Sequence, residues 1–142
     1  MTRAPAGGVL AGGELVAFVA STDLDRAREF YAQVLGLPVT EQTEAACVFD
    51  ANGTMLRVTA VPSPPAAGYT VLGWRVADVS AAVRALAARG VTFLRFDGMA
   101  QDADGVWAAP GGARVAWFAD PDGNTLSLTE FPAAVPGPGA QA

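Results

Sequence analysis

Two arginines, Arg57 and Arg75, lie within apolar segments that the sequence predicts as β-strands. A guanidinium group on such a strand can bind a carboxylate, phosphate or enolate-like oxygen through charge-assisted, bidentate hydrogen bonds. The alternative is structural. Because buried arginine is rarely left unpaired, each side chain could instead pair with Asp50 or Glu130, or with an acid of a second subunit. The sequence leaves both interpretations open.

Other side chains that commonly carry catalysis are missing or poorly placed. The 142 residues include no histidine, and all nine basic residues are arginine, so the chain cannot form a lysine Schiff base. Ser127 has no histidine or lysine to deprotonate it. Glu130 could act as a general base, but strand alternation turns it away from the face of Ser127. Cys47, the only cysteine, lies in an apolar strand and is predicted to be a packed thiol rather than a nucleophile.

The composition is that of a globular protein, with 51% hydrophobic and 16% charged residues. A net charge of −5 and the lack of an arginine cluster argue against nucleic acid as a partner. No apolar run reaches the ~18 residues that span a membrane, and residues 1–13 lack the compact apolar segment of a signal peptide. We therefore expect a cytoplasmic protein of bacterial type with no membrane partner.

Two stretches of the chain repeat one design of strand, capped helix, glycine and strand, the first around Asp23 and the second around Asp78. The first copy is predicted to contain strands at 15–20, 37–43, 46–49 and 54–61 and a helix at 24–35. The second is predicted to contain strands at 70–76, 91–96, 114–119 and 125–131 and a helix at 80–89, with a polar segment at 97–110. These boundaries predict one domain at 14–131 (module one 14–61, linker 62–69, module two 70–131), between a flexible tail at 1–13 and a disordered tail at 132–142.

Three sequence patterns carry a resemblance to a known family. They are Asp23-Leu24-Asp25-Arg26-Ala27 with Leu35-Gly36-Leu37, Val76-Ala77-Asp78-Val79 with Arg89-Gly90-Val91, and Trp117-Phe118-Ala119-Asp120-Pro121-Asp122-Gly123-Asn124. Across residues 15–131 the chain resembles the vicinal oxygen chelate superfamily, which includes glyoxalase I, extradiol dioxygenases and the bleomycin-resistance proteins. The resemblance implies an α+β fold in which tandem βαβββ modules form a cupped mixed sheet, and it implies a homodimer. It does not fix the function, because one scaffold hosts several chemistries.

The resemblance also locates the four strand positions from which metal-binding members hold their ion. In this chain those positions are Val16, Arg57, Val71 and Ser127. The two valines have no donor atom, a neutral hydroxyl is a weak ligand, and a guanidinium repels a cation. We therefore expect no metal site, and no other cofactor is implied.

Strand alternation predicts which side chains line the cup. Trp74 belongs to the opposite, apolar set that should pack on the helices, whereas alternation does not decide between Trp117 and Phe118. Trp107 lies in the irregular segment 98–110, which could form a lid, so its side chain could contact a ligand or pack in the core. The cup-facing set is Val16, Phe18, Ala20, Met55, Arg57, Thr59, Val71, Gly73, Arg75, Thr125, Ser127 and Thr129. The candidate ligand-binding residues are Phe18, Met55, Arg57, Arg75, Trp107, Ser127 and Thr129.

Three functions fit this pattern. The first hypothesis is a metal-independent binding protein that sequesters a small aromatic or acidic metabolite or antibiotic. The second is a metal-free isomerase, lyase or cyclase in which Arg57 or Arg75 stabilises an oxyanion. The third is an accessory dimer without a ligand. The unsuitable metal positions and the lack of an identifiable proton-transfer group favour the first.

Overall fold

The structure, a computed structural model, describes residues 8–65 and 67–133. The predicted tails at 1–13 and 132–142 fall largely outside these ranges, at residues 1–7 and 134–142. The chain forms two compact units that divide between Pro65 and Ala66. Within the described ranges, no helix is long and apolar enough to cross a membrane.

The first unit is a four-stranded mixed sheet with a helix on one face. Its elements are β1 (Val16–Ser21), α1 (Leu24–Arg28), a π-helical continuation (Glu29–Val34), β2 (Val39–Gln42), β3 (Ala46–Ala51) and β4 (Thr54–Ala60). The strand order is β1-β4-β3-β2, with β1 parallel to β4 and the other pairs antiparallel. The hairpin between β3 and β4 turns at Asn52 and Gly53, whose φ angles of 53° and 96° lie in the left-handed region.

The helix of the first unit begins at Leu24, as the sequence predicts, and changes from α-helical to π-helical hydrogen bonding after Arg28. The Asp23 carboxylate accepts a hydrogen bond from the Arg26 N–H at 3.1 Å and so caps the first turn. The predicted α-helix at 24–35 is α-helical only to Arg28. Beyond it the backbone widens to π-helical hydrogen bonding, in which the Leu35 N–H donates to the Phe30 carbonyl at 3.0 Å.

The core of the first unit lies between α1 and one face of the sheet. Leu56 and Val58 of β4 are buried there with Ala27 and Tyr31 of the helical segment, and the Tyr31 and Phe49 rings lie 5.7 Å apart. This is the apolar face that strand alternation predicts. The opposite face of the sheet has no helix of its own unit against it.

The second unit repeats the topology. Its elements are β5 (Thr70–Arg75), α2 (Val79–Ala87), β6 (Trp107–Ala108), β7 (Arg114–Ala119) and β8 (Thr125–Glu130). The strand order is β5-β8-β7-β6, with β5 parallel to β8. Asp78 caps α2 by accepting a hydrogen bond from the Ala81 N–H at 3.0 Å. The core is buried between α2 and the sheet and includes Val79, Val83, Phe118, Leu126 and Leu128.

The predicted strand at 91–96 is wrong. In this segment Phe93 makes an isolated bridge to Phe118, and the short strand β6 takes the corresponding place in the sheet order. The reason is that the Gln101 side chain forms hydrogen bonds with backbone groups of this segment. Gln101 accepts a hydrogen bond from the Phe96 N–H at 2.8 Å and donates to the Leu94 carbonyl at 3.0 Å, so these groups have partners without a continuous strand ladder.

Candidate functional site

Each sheet has an open face, defined here as the face opposite its own helix. On the first open face the register aligns Phe18 of β1, Arg57 of β4 and Val48 of β3 across three neighbouring strands. Met55 lies on the same face, two residues before Arg57 on β4. The side chains of Phe18 and Met55 are 63% and 44% exposed. Three of the predicted ligand-binding residues (Phe18, Met55 and Arg57) therefore share one accessible surface.

The side chain of Arg57 forms no ion pair and no hydrogen bond with any of residues 8–65 and 67–133. Asp50, which the sequence offers as its partner, instead accepts a hydrogen bond from the Gly53 N–H at 2.7 Å. That bond closes the β3–β4 turn, so Asp50 serves the hairpin. The half-buried Arg57 side chain keeps its donor groups available to a ligand.

The second open face carries the other candidates. One row of the sheet aligns Arg75, Thr129, Val115 and Trp107, and the next aligns Gly73, Ser127 and Trp117. The register thus assigns Trp117 to the open face. Its neighbour Phe118 pairs with Leu126 in the core, so the structure decides what alternation could not.

Arg75 is held by an aromatic ring. Its guanidinium carbon lies 4.7 Å from the centroid of the Phe131 ring, a cation–π contact. A cleft of about 470 Å³ opens beside this pair and is lined by Arg75, Val76, Ala77, Phe131 and Pro132. A guanidinium stacked on a ring still presents N–H groups at its edge, so it can bind an anion.

Glu130, the other proposed partner of an arginine, has a different role. Its Oε1 accepts a hydrogen bond from the Val79 N–H at 3.0 Å and lies 3.6 Å from Nη1 of Arg114. It therefore caps the start of α2 from the helix side of the sheet and does not pair with Arg75. The same position removes it from the open face on which a general base would have to act.

The second open face contains an aromatic cluster that the sequence did not assign to the site. The rings of Phe96 and Trp117 meet edge to face, with centroids 5.4 Å apart at 87°. The rings of Trp107 and Trp117 lie 6.2 Å apart at 35°. Trp107 was a candidate, whereas Phe96 had been placed in a strand that does not form. The register of β7 would have revealed Trp117, but sequence alternation alone does not supply it.

The segment predicted as a possible lid is internally braced. Arg95 Nη2 donates to the carbonyls of Asp102 and Ala103 at 2.7 and 2.9 Å. The Asp102 carboxylate accepts hydrogen bonds from the N–H groups of Asp104 and Val106, both at 2.9 Å. These bonds tie the segment to itself, as expected of a fixed wall rather than of a moving lid.

The four positions that would hold a family metal do not fit one. Val16 and Arg57 lie on strands of the first unit and Ser127 on β8, while Val71 falls at an irregularity in the β5–β8 register. Two hydrocarbon side chains, one cation and one hydroxyl are not a donor set for a divalent metal. Across the described part of the chain, no group of three or more histidine, cysteine, aspartate or glutamate side chains is arranged to hold an ion.

Cys47 is not poised as a nucleophile. Its side chain is buried in β3. Burial raises the pKa of the thiol above its ordinary value, an effect that the nearby Arg28 charge opposes and the Asp25 charge reinforces. The thiol is therefore protonated at neutral pH and packs as a small apolar group.

Residues 15–128 match the family described as the Glyoxalase/Bleomycin resistance protein/Dioxygenase superfamily. The chain belongs to this superfamily. The match confirms the resemblance stated from the sequence and the α+β fold of paired βαβββ modules. No functionally curated protein is similar enough in sequence to match the chain.

Solved structures of superfamily members share this fold. An antibiotic-binding protein from Streptomyces sp. CB03234 has a TM-score of 0.66 and 23% identity over 88% of this chain and 100% of its own. A bleomycin resistance determinant encoded on the transposon Tn5 has a TM-score of 0.67 and 20% identity, over 84% of this chain and 98% of its own. A lactoylglutathione lyase from Agrobacterium tumefaciens has a TM-score of 0.65 and 18% identity, over 83% and 93%. At these identities the likeness shows the fold alone.

Proposed function

We propose that this protein is a metal-independent member of the superfamily that binds a small aromatic or acidic metabolite or antibiotic. One observation carries the proposal. Arg57 and Arg75 lie on open sheet faces beside exposed apolar side chains, and among the described residues neither pairs with a carboxylate. A planar cation beside apolar surface matches a ligand with an acidic group and a hydrophobic body.

We favour binding over catalysis because each candidate catalytic group either has a structural role or lacks a residue that would activate it. Glu130 caps a helix, Cys47 is a buried thiol with a raised pKa, and Ser127 has no histidine or lysine in the chain to activate it. The names of two structural neighbours, an antibiotic-binding protein and a bleomycin resistance determinant, agree with a role in sequestration. We further propose that the protein acts as a homodimer in a bacterial cytoplasm.

Metal independence is tested by elemental analysis and by thermal denaturation. We expect no stoichiometric transition metal, and no change in Tm when EDTA is added or when Zn, Ni, Fe or Mn is supplied. A metal bound only by the folded state would raise its stability in proportion to ln(1 + [metal]/Kd), so a bound ion would be visible as a rise in Tm. One tightly bound metal per chain would contradict the proposal.

Ligand binding is tested separately on the same EDTA-treated protein. Native mass spectrometry of the purified chain looks for a co-purifying molecule, and calorimetry measures binding of 2-naphthoate, an aromatic acid, and of cyclohexanecarboxylate, a non-aromatic one. We expect at least the aromatic acid to bind in EDTA. If neither acid binds at millimolar concentration and no molecule co-purifies, the binding function is wrong.

A further inference from the structure

We propose that the second open face carries a preformed stacking subsite, built by Phe96, Trp107 and Trp117 beside a floor at Gly73, for the ring system of a planar aromatic acid. This inference rests on the proposed binding function and specifies its ligand class. The subsite lies within the second unit alone, and none of Phe96, Trp117 and Gly73 was among the candidate ligand-binding residues predicted from the sequence.

The wall of the subsite is a set of rings that already pack on one another. The ring of Trp117 packs against the rings of both Phe96 and Trp107. Phe96 is still 40% exposed, and both tryptophans are only half-buried. Because these contacts fix the ring planes before a ligand arrives, stacking on them costs little further side-chain entropy.

The floor of the subsite is open because residue 73 is a glycine. Gly73 is exposed and pairs with Ser127, which in turn pairs with Trp117. Its φ angle is not in the left-handed region, so the backbone does not require glycine there. A Cβ at this position would lie 2.6 Å from the Ser127 Oγ. The Ser127 hydroxyl thus takes up the space that a side chain at residue 73 would fill, and the exposed backbone of Gly73 remains accessible beside the aromatic wall.

The cation that complements this surface lies two residues further along β5. Arg75 is on the same face as Gly73, is held over Phe131, and forms no ion pair in the described part of the chain. Strands lie about 4.8 Å apart and residues rise by about 3.3 Å, which puts the Cα atoms of Arg75 and Trp117 roughly 12 Å from each other. That span fits a fused-ring body with an acidic group at one end.

Gln101 is the positioning residue of the wall. Its Oε1 accepts from the Phe96 N–H at 2.8 Å, and its Nε2 donates to the Leu94 and Gly105 carbonyls at 3.0 and 2.8 Å. One side chain thus joins the backbone that presents Phe96 to the backbone just before Trp107. Gln101 also bridges directly to Trp107 in the sheet. Without its side chain, the backbone at Phe96 loses its link to the backbone at Gly105, two residues before Trp107.

The test compares three probes on the full-length protein in EDTA: 2-naphthoate, cyclohexanecarboxylate and 2-naphthalenemethanol, which is planar but uncharged. Tryptophan fluorescence reports binding. The variant Trp74→Phe removes the tryptophan of the opposite face, where Trp74 pairs with Leu128. We expect 2-naphthoate to quench Trp107 and Trp117 emission equally well in this variant, and to bind on the order of tenfold more tightly than cyclohexanecarboxylate.

Gly73→Ala is the decisive variant because its methyl group occupies the floor. We expect it to weaken 2-naphthoate binding on the order of tenfold and to leave cyclohexanecarboxylate affinity unchanged, with the Ser127 hydroxymethyl rotating away from the new methyl group. Gly111→Ala is the matched control, because a Cβ there meets nothing within 4 Å and should change neither affinity.

Gln101→Ala should reduce the preference for 2-naphthoate over cyclohexanecarboxylate. Should Gly73→Ala fail to fold, Trp107→Leu replaces it with the same expectation.

The outcomes separate the two proposals. If Gly73→Ala leaves 2-naphthoate binding intact while Arg75→Met weakens it, the stacking subsite is wrong and the binding function survives. If no acid binds, the subsite is wrong, and if in addition no molecule co-purifies, the binding function is wrong as well. If the naphthyl probes fail to quench and Gly73→Ala instead changes the mass measured by light scattering, the face is covered by a second copy of the chain and the subsite is refuted.

Discussion

Arg57 and Arg75 can be replaced without stranding a buried carboxylate. Asp50 closes a turn and Glu130 caps a helix, so neither acid depends on these arginines for its charge compensation. Removing one member of a buried ion pair is strongly destabilising because it leaves the other charge uncompensated. Replacing either arginine leaves no carboxylate uncompensated in the described part of the chain. The guanidinium N–H groups of both arginines are available to a ligand.

Replacing either arginine by methionine should therefore separate binding from stability. We expect Arg57→Met and Arg75→Met each to cost ~1.5–3 kcal/mol of affinity for an acidic ligand, the range for a hydrogen bond to a charged group. The free energy of unfolding should change by less than ~0.5 kcal/mol for Arg57→Met. For Arg75→Met it should fall by up to ~1 kcal/mol, through loss of the contact with Phe131.

Calorimetry measures affinity, with 2-naphthoate as the ligand for Arg75→Met and the co-purified molecule as the ligand for Arg57→Met, and urea denaturation measures stability. Arg84→Met, a change at an exposed arginine of α2 that forms a surface ion pair with Asp104, controls for the loss of one positive charge. A loss of ~3 kcal/mol or more in stability with unchanged affinity would show that the arginines are structural after all.

At the scale of single residues, the sequence correctly predicts which side chains share a sheet face wherever strand alternation applies. Phe18, Met55 and Arg57 share a face because every second residue of a strand points the same way. Trp117 was not assignable because two large aromatic residues are adjacent in β7, and only pairing with Ser127 distinguishes them. The partners of Glu130 were also missed, because the Val79 N–H and the Arg114 side chain are distant from it in sequence.

At the scale of elements, α2 depends on a residue that is distant in sequence. Its first N–H groups lie at Val79 and Ala81, which donate to Glu130 and Asp78 respectively. Val79 is fully buried, so water is a poor substitute for the Glu130 carboxylate. A helix N-terminus also favours a negative charge. Glu130 therefore joins the last strand of the unit to the start of its helix.

Glu130→Ala should destabilise the protein by ~1–3 kcal/mol, because it leaves the buried Val79 N–H without its acceptor. Glu130→Gln keeps the acceptor oxygen and loses only the charge, so it should cost less than half as much. Urea denaturation provides both values, and ligand affinity should not change in either variant. Equal losses in the two variants, or a loss of binding with stability retained, would contradict the capping role.

The elements themselves were predictable except where side chains replace the strand ladder. Both helices begin next to the aspartates that the sequence marks as caps, because capping is a local interaction. The strand predicted at 91–96 failed because the Gln101 side chain binds the Phe96 N–H and the Leu94 carbonyl from several residues away. Apolar alternation shows which side chains can be buried, but it does not show where a segment's carbonyl and N–H groups find partners.

At the scale of the whole molecule, the first open face leaves apolar surface exposed. Phe18 is 63% exposed, Met55 44% and Val16 37%, and Val16 pairs with Met55 across β1 and β4. A contiguous apolar patch of this kind on a folded protein usually marks a binding surface. We expect a homodimer, and this patch on and next to the edge strand β1 is the surface we expect the partner to contact.

Light scattering at micromolar concentration should return twice the mass of the chain. Val16→Glu should shift the protein toward monomer, because a carboxylate at an apolar contact is costly to bury. Leu10→Glu is the matched control, since Leu10 is 84% exposed but lies before β1, and it should leave the mass unchanged. A monomer at all accessible concentrations, or equal effects of the two substitutions, would contradict a dimer built on this patch. Because symmetric dimers reuse one surface on both copies, a single substitution changes the contact twice, which makes the expected shift large enough to resolve.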